Sequence, residues 1–405
     1  MGGSPIINDK SADYLHGLGR PLRMIVTGGG TGGHTYPALT AFRTLNAALT
    51  GARLLSADAL WVGKADGLES RVAADEGIEF RAVATGKIRR AGNPLRMLSP
   101  ANVSDMGRVP LGVVQARGIV ADFEPDVVLA TGGYVAVPVG VAARMCRCPL
   151  VVHEQTVRLG LTNRTLARVA TRMAVSSESS LPLLPDSVRA AAVVTGNPVR
   201  PEILTGKPDR AVADLGLDGF DPRLPTVYVT GGAQGSQQMN ALVTAILPWL
   251  LGRANVIHQC GADNLDDVRA RVTQMQLPAD QAGRRLLIPY VAAELPDVLA
   301  LADVVVSRSG AGTIAELAAL GKAAILVPLA GSAGNEQVHN ARHLAEIGAA
   351  IALVGDVGPD HLRAAIAPLL TDVPRRTDVA KRAQAHGRPE AAARLVEVIL
   401  AAAAI

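Results

Sequence analysis

Four glycine-rich segments carry the first chemical signal in this chain. Gly28-Gly29-Gly30-Thr31-Gly32-Gly33-His34 follows an apolar run that ends at Thr27, and Thr131-Gly132-Gly133-Tyr134 closes another. Thr230-Gly231-Gly232-Ala233-Gln234-Gly235-Ser236 and Ser309-Gly310-Ala311-Gly312-Thr313-Ile314-Ala315-Glu316 repeat the device in the second half. Glycine lets backbone approach a phosphate closely, and the N–H groups that open the following helix attract negative charge. In the last segment Thr313 can reach a phosphate at the helix start, while Glu316, one turn on, can accept hydrogen bonds from ribose hydroxyls. One such loop is also what a tight strand-to-helix turn requires. Four, at strand ends in both halves, point to a diphosphate-bearing ligand in an interdomain cleft.

The first loop also contains a G-x-G-x-x-G match, Gly28, Gly30 and Gly33. A dinucleotide site would add an acidic residue at the end of the second strand. That strand ends Trp61-Val62-Gly63-Lys64, with Lys in the acidic position, so a Rossmann-type NAD(P)-binding oxidoreductase is a remote alternative.

The elements that must hold these loops are short β-branched runs alternating with longer Ala/Leu-rich amphipathic stretches. Strands are predicted at 24–27, 60–63, 80–84, 127–131, 150–153 and 173–176, then at 226–230, 255–259, 286–291, 304–307, 324–328 and 350–354. Continuous apolar runs separated by helical patterns indicate parallel strands covered on both faces, hence doubly wound α/β layers. A turn-rich stretch, Gly196-Asn197-Pro198-Val199-Arg200-Pro201, marks a boundary. The expected organisation is an extension over 1–22, a Rossmann-like domain over 23–197, a second over 198–385, and a C-terminal helix over 386–405 that packs back on the first domain.

Composition narrows the function. With 405 residues, 49% hydrophobic and 19% charged, the chain is sized for two globular domains. The net charge of +4 comes without Lys/Arg blocks, and aromatics are only 3%, which speaks against nucleic-acid binding. Cys146, Cys148 and Cys260 form neither a disulfide framework nor a zinc quartet, which fits a reducing cytoplasm. Residues 1–22 lack the apolar core of a signal peptide and are read as loose, and no apolar run reaches 18 residues.

Taken in order, the motifs resemble the MurG family over residues 24 to about 400. The matching segments are 29–34, Gly86-Lys87-Ile88-Arg89-Arg90, 132–134, His153-Glu154-Gln155, Gly160-Leu161-Thr162-Asn163 and Gly196 to Arg200, then Gly231 to Gly235, Arg308 to Glu316, and Gln337 with Asn340. The resemblance implies a GT-B glycosyltransferase that moves N-acetylglucosamine from a UDP-sugar onto lipid I, with inversion and without cofactor or metal. The donor would sit on the C-terminal domain and the acceptor on the N-terminal one. No Asp-x-Asp pair is present to hold a cation against a diphosphate.

The resemblance also implies roles. His34 is the general base or a phosphate anchor; an imidazole after a glycine turn suits either. His153 is the second catalytic candidate; with Glu154 it faces the acceptor, or the two pair for structure. Thr31, Gly32, Gly33, Gly132, Gly133, Tyr134, Gln155 and Asn163 lie in the acceptor segments. Arg200 reaches the donor diphosphate or is a surface residue beside the linker. Thr313 takes the α-phosphate and Glu316 the ribose. Gln337 and Asn340, one helical turn apart, contact the donor sugar; Ala233, Gln234, Gly235, Ala311, Gly312 and Glu336 complete that side.

The chain departs from the family pattern at Thr156, Ala233 and Glu336, and it lacks an acidic residue in the stretch Gly331 to Asn335. These departures leave open a related transferase that glycosylates a soluble natural-product acceptor. Between Ile88 and Gln115, apolar Leu95, Met97, Leu98, Met106, Val109 and Leu111 lie among Arg89, Arg90, Arg96 and Arg108. This is either a peripheral membrane contact on the inner leaflet or an ordinary helix with a buried face.

Overall fold

Parallel strands need crossover connections, so each apolar run in this chain must be followed by a helix that returns the backbone to the same end of the sheet. The protein, seen here as a computed structural model, is described over residues 6–86 and 100–405. It divides into two units, Met1–Pro198 with Glu390–Ile405, and Val199–Pro389.

In the first unit β1 (Arg23–Gly28), β2 (Asp58–Gly63), β3 (Glu79–Ala82), β4 (Val127–Gly132), β5 (Leu150–Glu154), β6 (Arg172–Val175) and β7 (Val193–Val194) form one sheet in the order β3-β2-β1-β4-β5-β6-β7. All neighbours are parallel. The helices are α1 (Asp9–Leu18), α2 (Gly32–Gly51), α3 (Leu68–Asp75), α4 (Pro100–Phe123), α5 (Ala136–Met145) and α6 (Leu161–Leu166). Alternate residues of β1 serve opposite cores. Met24 and Val26 join Leu45 and Leu49 of α2, while Ile25 joins Ala116 and Val120 of α4 and Val139 of α5. The helix Ala391–Ala403 belongs to this unit and covers the first of these faces with Leu395 and Ile399, both fully buried.

The second unit repeats the plan. β8 (Thr226–Thr230), β9 (Asn255–Gln259), β10 (Arg285–Ile288), β11 (Val304–Ser307), β12 (Ala323–Leu326) and β13 (Ile351–Ala352) are ordered β10-β9-β8-β11-β12-β13, again all parallel. In both sheets the chain first builds outward on one side and then crosses to the other. The reversal falls between β1 and β4 and between β8 and β11. Such switch points open a crevice at the carboxyl ends of the strands, and all four glycine-rich loops leave from these four strands.

Two expectations change. Over its described part, residues 6–22, the expected extension is not simply loose: α1 is capped by Asn8, whose side chain accepts from the Ser11 amide at 2.9 Å, and Leu15 and Leu22 are buried in the core. Ile6, Ile7, Tyr14 and Leu18 pack, half-buried, against the same cluster. β7 is a further strand, two valines long, beyond the twelve predicted.

Truncation of the covering helix tests its place in the first unit. Leu395→Ala should lower the stability of that unit by about 2–5 kcal/mol. The measurement is urea unfolding; an unchanged midpoint would contradict the assignment of this helix to the core.

Candidate active site

The site of the first unit begins with a slip in strand register. β1 and β4 pair from Met24 with Val127 to Thr27 with Ala130, after which Gly28 faces Gly132. Thr131 is the extra residue, without a partner on β1. Its carbonyl accepts from Nδ1 of His34 at 2.9 Å, and its Oγ1 donates to the His34 carbonyl at 2.8 Å. Oε1 of Gln155 is the second acceptor for His34 Nδ1, at 3.1 Å. Two acceptors on one nitrogen make Nδ1 the protonated one, so Nε2 carries the lone pair. Among the described residues no group bonds to Nε2, and the ring is partly exposed.

The glycines beside it are required by sterics. A Cβ on Gly132 would stand 3.0 Å from the His34 ring, and one on Gly133 2.2 Å from the Gly29 carbonyl. Both have positive φ, 107° and 77°. Tyr134 lies across Gly30, 3.1 Å from where a Cβ would be. The second glycine turn is thus the seat of the first.

A buried carboxylate underlies the same loop. Glu69 of α3 is fully buried, and it accepts from the Gly30 amide and the Lys64 amide, both at 3.1 Å. A Cβ on Gly29 or Gly67 would meet this carboxyl group at 2.3 Å, and one on Gly63 would press on its methylene at 2.7 Å. Sequence reasoning misses Glu69 because it expects an acid at the end of β2. The acid comes five residues after Lys64, on the helix, and four glycines around it were the available signal. The Gly30 amide being taken, the N–H groups of Thr31, Gly32 and Gly33, at the start of α2, are the ones left for an anion.

His153 and Glu154 do not present themselves to an acceptor, which corrects that expectation. His153 is fully buried; Nε2 donates to the Gly196 carbonyl at 3.0 Å and Nδ1 accepts from Nε2 of Gln155 at 3.1 Å. Burial pushes its pKa down to about 4. Glu154 is nearly fully buried and accepts from Thr156 N and Oγ1, Gly160 N and Asn163 Nδ2 at 2.8–3.0 Å. Four donors satisfy this carboxylate and fold the loop after β5 around it. Thr156, the departure from the family pattern, is one of those donors.

In the second unit the turn after β8 is pressed onto the backbone after β9. A Cβ on Gly235 would lie 1.9 Å from the Cys260 carbonyl, and one on Gly261 2.1 Å from the Gln234 carbonyl. Gln259 ties the same turn down, donating to the Gly232 carbonyl at 2.8 Å. Ala233 and Gln234 are exposed at its tip. Arg308 links this turn to the end of β12, bonding Ser236 Oγ at 2.6 Å, Gln238 Oε1 at 2.9 Å and the Val327 and Pro328 carbonyls at 3.0 Å.

The turn after β11 opens the helix Ala311–Ala319, with Gly310 at its cap and Ala311, Gly312, Thr313 and Glu316 partly exposed. Glu316 Oε1 accepts from Arg200 Nε at 2.8 Å, which brings two of the expected donor residues together. Gln337 and Asn340, on the helix Glu336–Glu346, each bond backbone through one end of the side-chain amide. Gln337 Oε1 accepts from the Leu329 amide at 2.9 Å; buried Asn340 donates to the Ser309 carbonyl at 3.2 Å. Through that bond Asn340 ties its helix to the turn after β11. Glu336 stands partly exposed in the first turn of that helix.

The motif Gly86 to Arg90 lies outside the described residues from Lys87 on, as do Leu95, Arg96, Met97 and Leu98. Among the described residues no three His, Cys, Asp or Glu side chains gather as a metal site, and no helix is long and apolar enough to cross a membrane.

Residues 24–175 match the glycosyltransferase family 28 N-terminal domain, and residues 226–395 the family 28 C-terminal domain. With one Rossmann-like parallel sheet in each unit, the protein is a GT-B glycosyltransferase dependent on a UDP-sugar. The UDP-N-acetylglucosamine–N-acetylmuramyl-(pentapeptide) pyrophosphoryl-undecaprenol N-acetylglucosamine transferase of Listeria welshimeri is 34% identical over 382 residues, 94% of this chain and 99% of its own. The enzyme of the same name from Treponema pallidum is 35% identical over 331 residues, 82% of each. The crystal structure of Acinetobacter baumannii MurG aligns with a TM-score of 0.71 at 26% identity, over 94% of this chain and 99% of that one. The chain belongs to the MurG family.

Glu69→Ala leaves two amides without their buried acceptor and should cost about 1–3 kcal/mol. Urea unfolding reads the loss, and hydrogen exchange at the Gly30 amide should accelerate; normal protection there would contradict the role given to Glu69. His153 and His258 carry a separate pH signature. Burial holds both near pKa 4 in the folded state, against about 6.5 unfolded. The unfolded chain therefore binds more protons between these values, and stability falls with falling pH. The contribution is full above pH about 6.5, and roughly 2 kcal/mol per histidine is lost by pH 5. Urea unfolding at pH 7 and pH 5 measures it, and His153→Gln should flatten the response of the first unit.

Proposed function

We propose that the chain transfers N-acetylglucosamine from UDP-N-acetylglucosamine to a hydroxyl of the lipid-linked acceptor named in its relatives, with inversion and without a metal. The observation that carries the reading is the state of His34: Nδ1 is held by two acceptors and Nε2 is left with a free lone pair at the carboxyl end of β1. The acceptor hydroxyl gives its proton to Nε2 as its oxygen attacks the anomeric carbon, and the bond from that carbon to the UDP oxygen breaks. Attack opposite the leaving diphosphate inverts the centre. The acceptor diphosphate is taken by the amides of Thr31 to Gly33, with the start of α2 supplying the positive end of a helix dipole.

On the donor side Arg200 fixes Oε1 of Glu316, which leaves Oε2 for the ribose. Thr313 and the N–H groups opening its helix meet the phosphates, and the outer N–H groups of Arg200 offset the charge that develops on UDP. That set of donors is why no cation is proposed. The outer face of α4 exposes Leu111 and Val114 beside exposed Arg108 and Arg117. Apolar side chains ringed by cations suit an anionic bilayer, where a lipid-linked acceptor would be met at the inner leaflet.

The test is a transfer assay with UDP-N-acetylglucosamine and a short-chain lipid I analogue. Wild-type protein should form the disaccharide product, and EDTA should leave the rate unchanged. His34→Ala should lower kcat by roughly 10²–10⁴ with little change in the donor KM. No product from the wild type, or near-normal kcat in the variant, would overturn the reading or the base.

A further inference from the structure

We infer that Gln155 and His153 form a relay that sets the tautomer of His34, keeping its proton on Nδ1 and its lone pair on Nε2. The inference rests on the proposed function, in which His34 is the base, and adds how that base is kept ready.

The relay is directional because backbone carbonyls, which can only accept, fix it at three points. At the far end the Gly196 carbonyl lies 3.0 Å from His153 Nε2, so that nitrogen carries the proton and Nδ1 of the neutral ring is an acceptor. Full burial keeps this ring neutral. The Gln155 amide nitrogen then donates twice, to His153 Nδ1 at 3.1 Å and to the His153 carbonyl at 3.0 Å. The second contact excludes the flipped amide, since turning it over would set Oε1 against a carbonyl oxygen and a ring lone pair at once. With both amide hydrogens spent on His153, Oε1 faces His34 Nδ1 at 3.1 Å and can only accept. The Thr131 carbonyl accepts from the same Nδ1 at 2.9 Å.

A proton on Nε2 of His34 instead would leave the Nδ1 lone pair facing two acceptor oxygens. Buried acceptors without donors cost free energy, and Gln155 is only a few per cent exposed. Gln155 and His153 are therefore positioning residues, neither of which needs to touch the acceptor.

The experiment is nitrogen-15 NMR of histidine-labelled full-length protein at alkaline pH, with His34 assigned by loss of its signals in His34→Gln. Wild-type His34 should show a pyrrole-type Nδ1 and a pyridine-type Nε2. Gln155→Met keeps the bulk and removes one of the two acceptors, leaving the Thr131 carbonyl; it should raise the Nε2–H population of His34 and lower kcat severalfold, with both KM values nearly unchanged. Gln155→Glu returns an acceptor to Nδ1 but sets its second oxygen against the His153 carbonyl and ring lone pair. It should restore the Nδ1–H form in part, between wild type and Gln155→Met, whereas a purely structural role would leave both variants with the same His34 spectrum. An Nε2–H tautomer in the wild type, or Gln155→Met with unchanged tautomer and kcat, overturns the relay. Wild-type protein with the Nδ1–H form but no transfer in the assay overturns the proposed function while supporting the tautomer assignment.

Discussion

The extra residue at Thr131 is the constraint from which the first site is built. β1 and β4 run in register until Thr27, and the slip leaves Thr131 without an opposite number just where the chain leaves the sheet. A bulge at a strand end re-aims the residues beyond it. Here it gives both the carbonyl and the hydroxyl of one residue to His34, and it brings Gly132 and Gly133 against the first loop so closely that neither tolerates a side chain. The switch point of the sheet decides where a ligand can sit; the slip decides how the histidine there is held.

A second thread is what the glycines are for. A glycine-rich loop invites the reading that every absent side chain makes room for a ligand. In this protein much of that room is already filled by the protein itself. Gly29, Gly63 and Gly67 surround the Glu69 side chain, and Gly235 and Gly261 lie against backbone carbonyls. The loops are rigid because they are packed on their inner side, which leaves their outer amides fixed in direction. Anion binding by backbone benefits from such rigidity, since amides that need no reorganisation lose less entropy on binding.

Much of this was legible in the sequence. All twelve apolar runs contain strands. β1, β4 and β8, at the centre of each sheet, are buried along nearly their whole length and show no polar alternation. The runs at 286–291 and 350–354 yield the shorter edge strands Arg285–Ile288 and Ile351–Ala352. The loops after β1, β4, β8 and β11 were legible through their glycines, and the family through the order of its motifs. Less visible was what each polar residue touches. His153 and Glu154 read as a catalytic pair because sequence neighbours on a strand end look available; in the fold their side chains are consumed by Gly196, Thr156, Gly160 and Asn163. Glu69 was hard to see because its partners are main-chain amides, which every residue type supplies, and only the glycines around it mark its place. The spacing of Asn340 to Gln337 did not reveal that its amide also reaches the Ser309 carbonyl.

The helix Ala391–Ala403 completes a core whose strands are all formed from residues before 199. The ribosome makes those strands first, then the whole second unit, and only afterwards the segment that covers Met24 and Val26. During synthesis the first sheet thus waits with one apolar face incompletely covered while its neighbour folds. Chains that stop short in the second unit never gain their last helix and present that face to chaperones and proteases, so the order of elements along the polypeptide makes completeness a condition of survival.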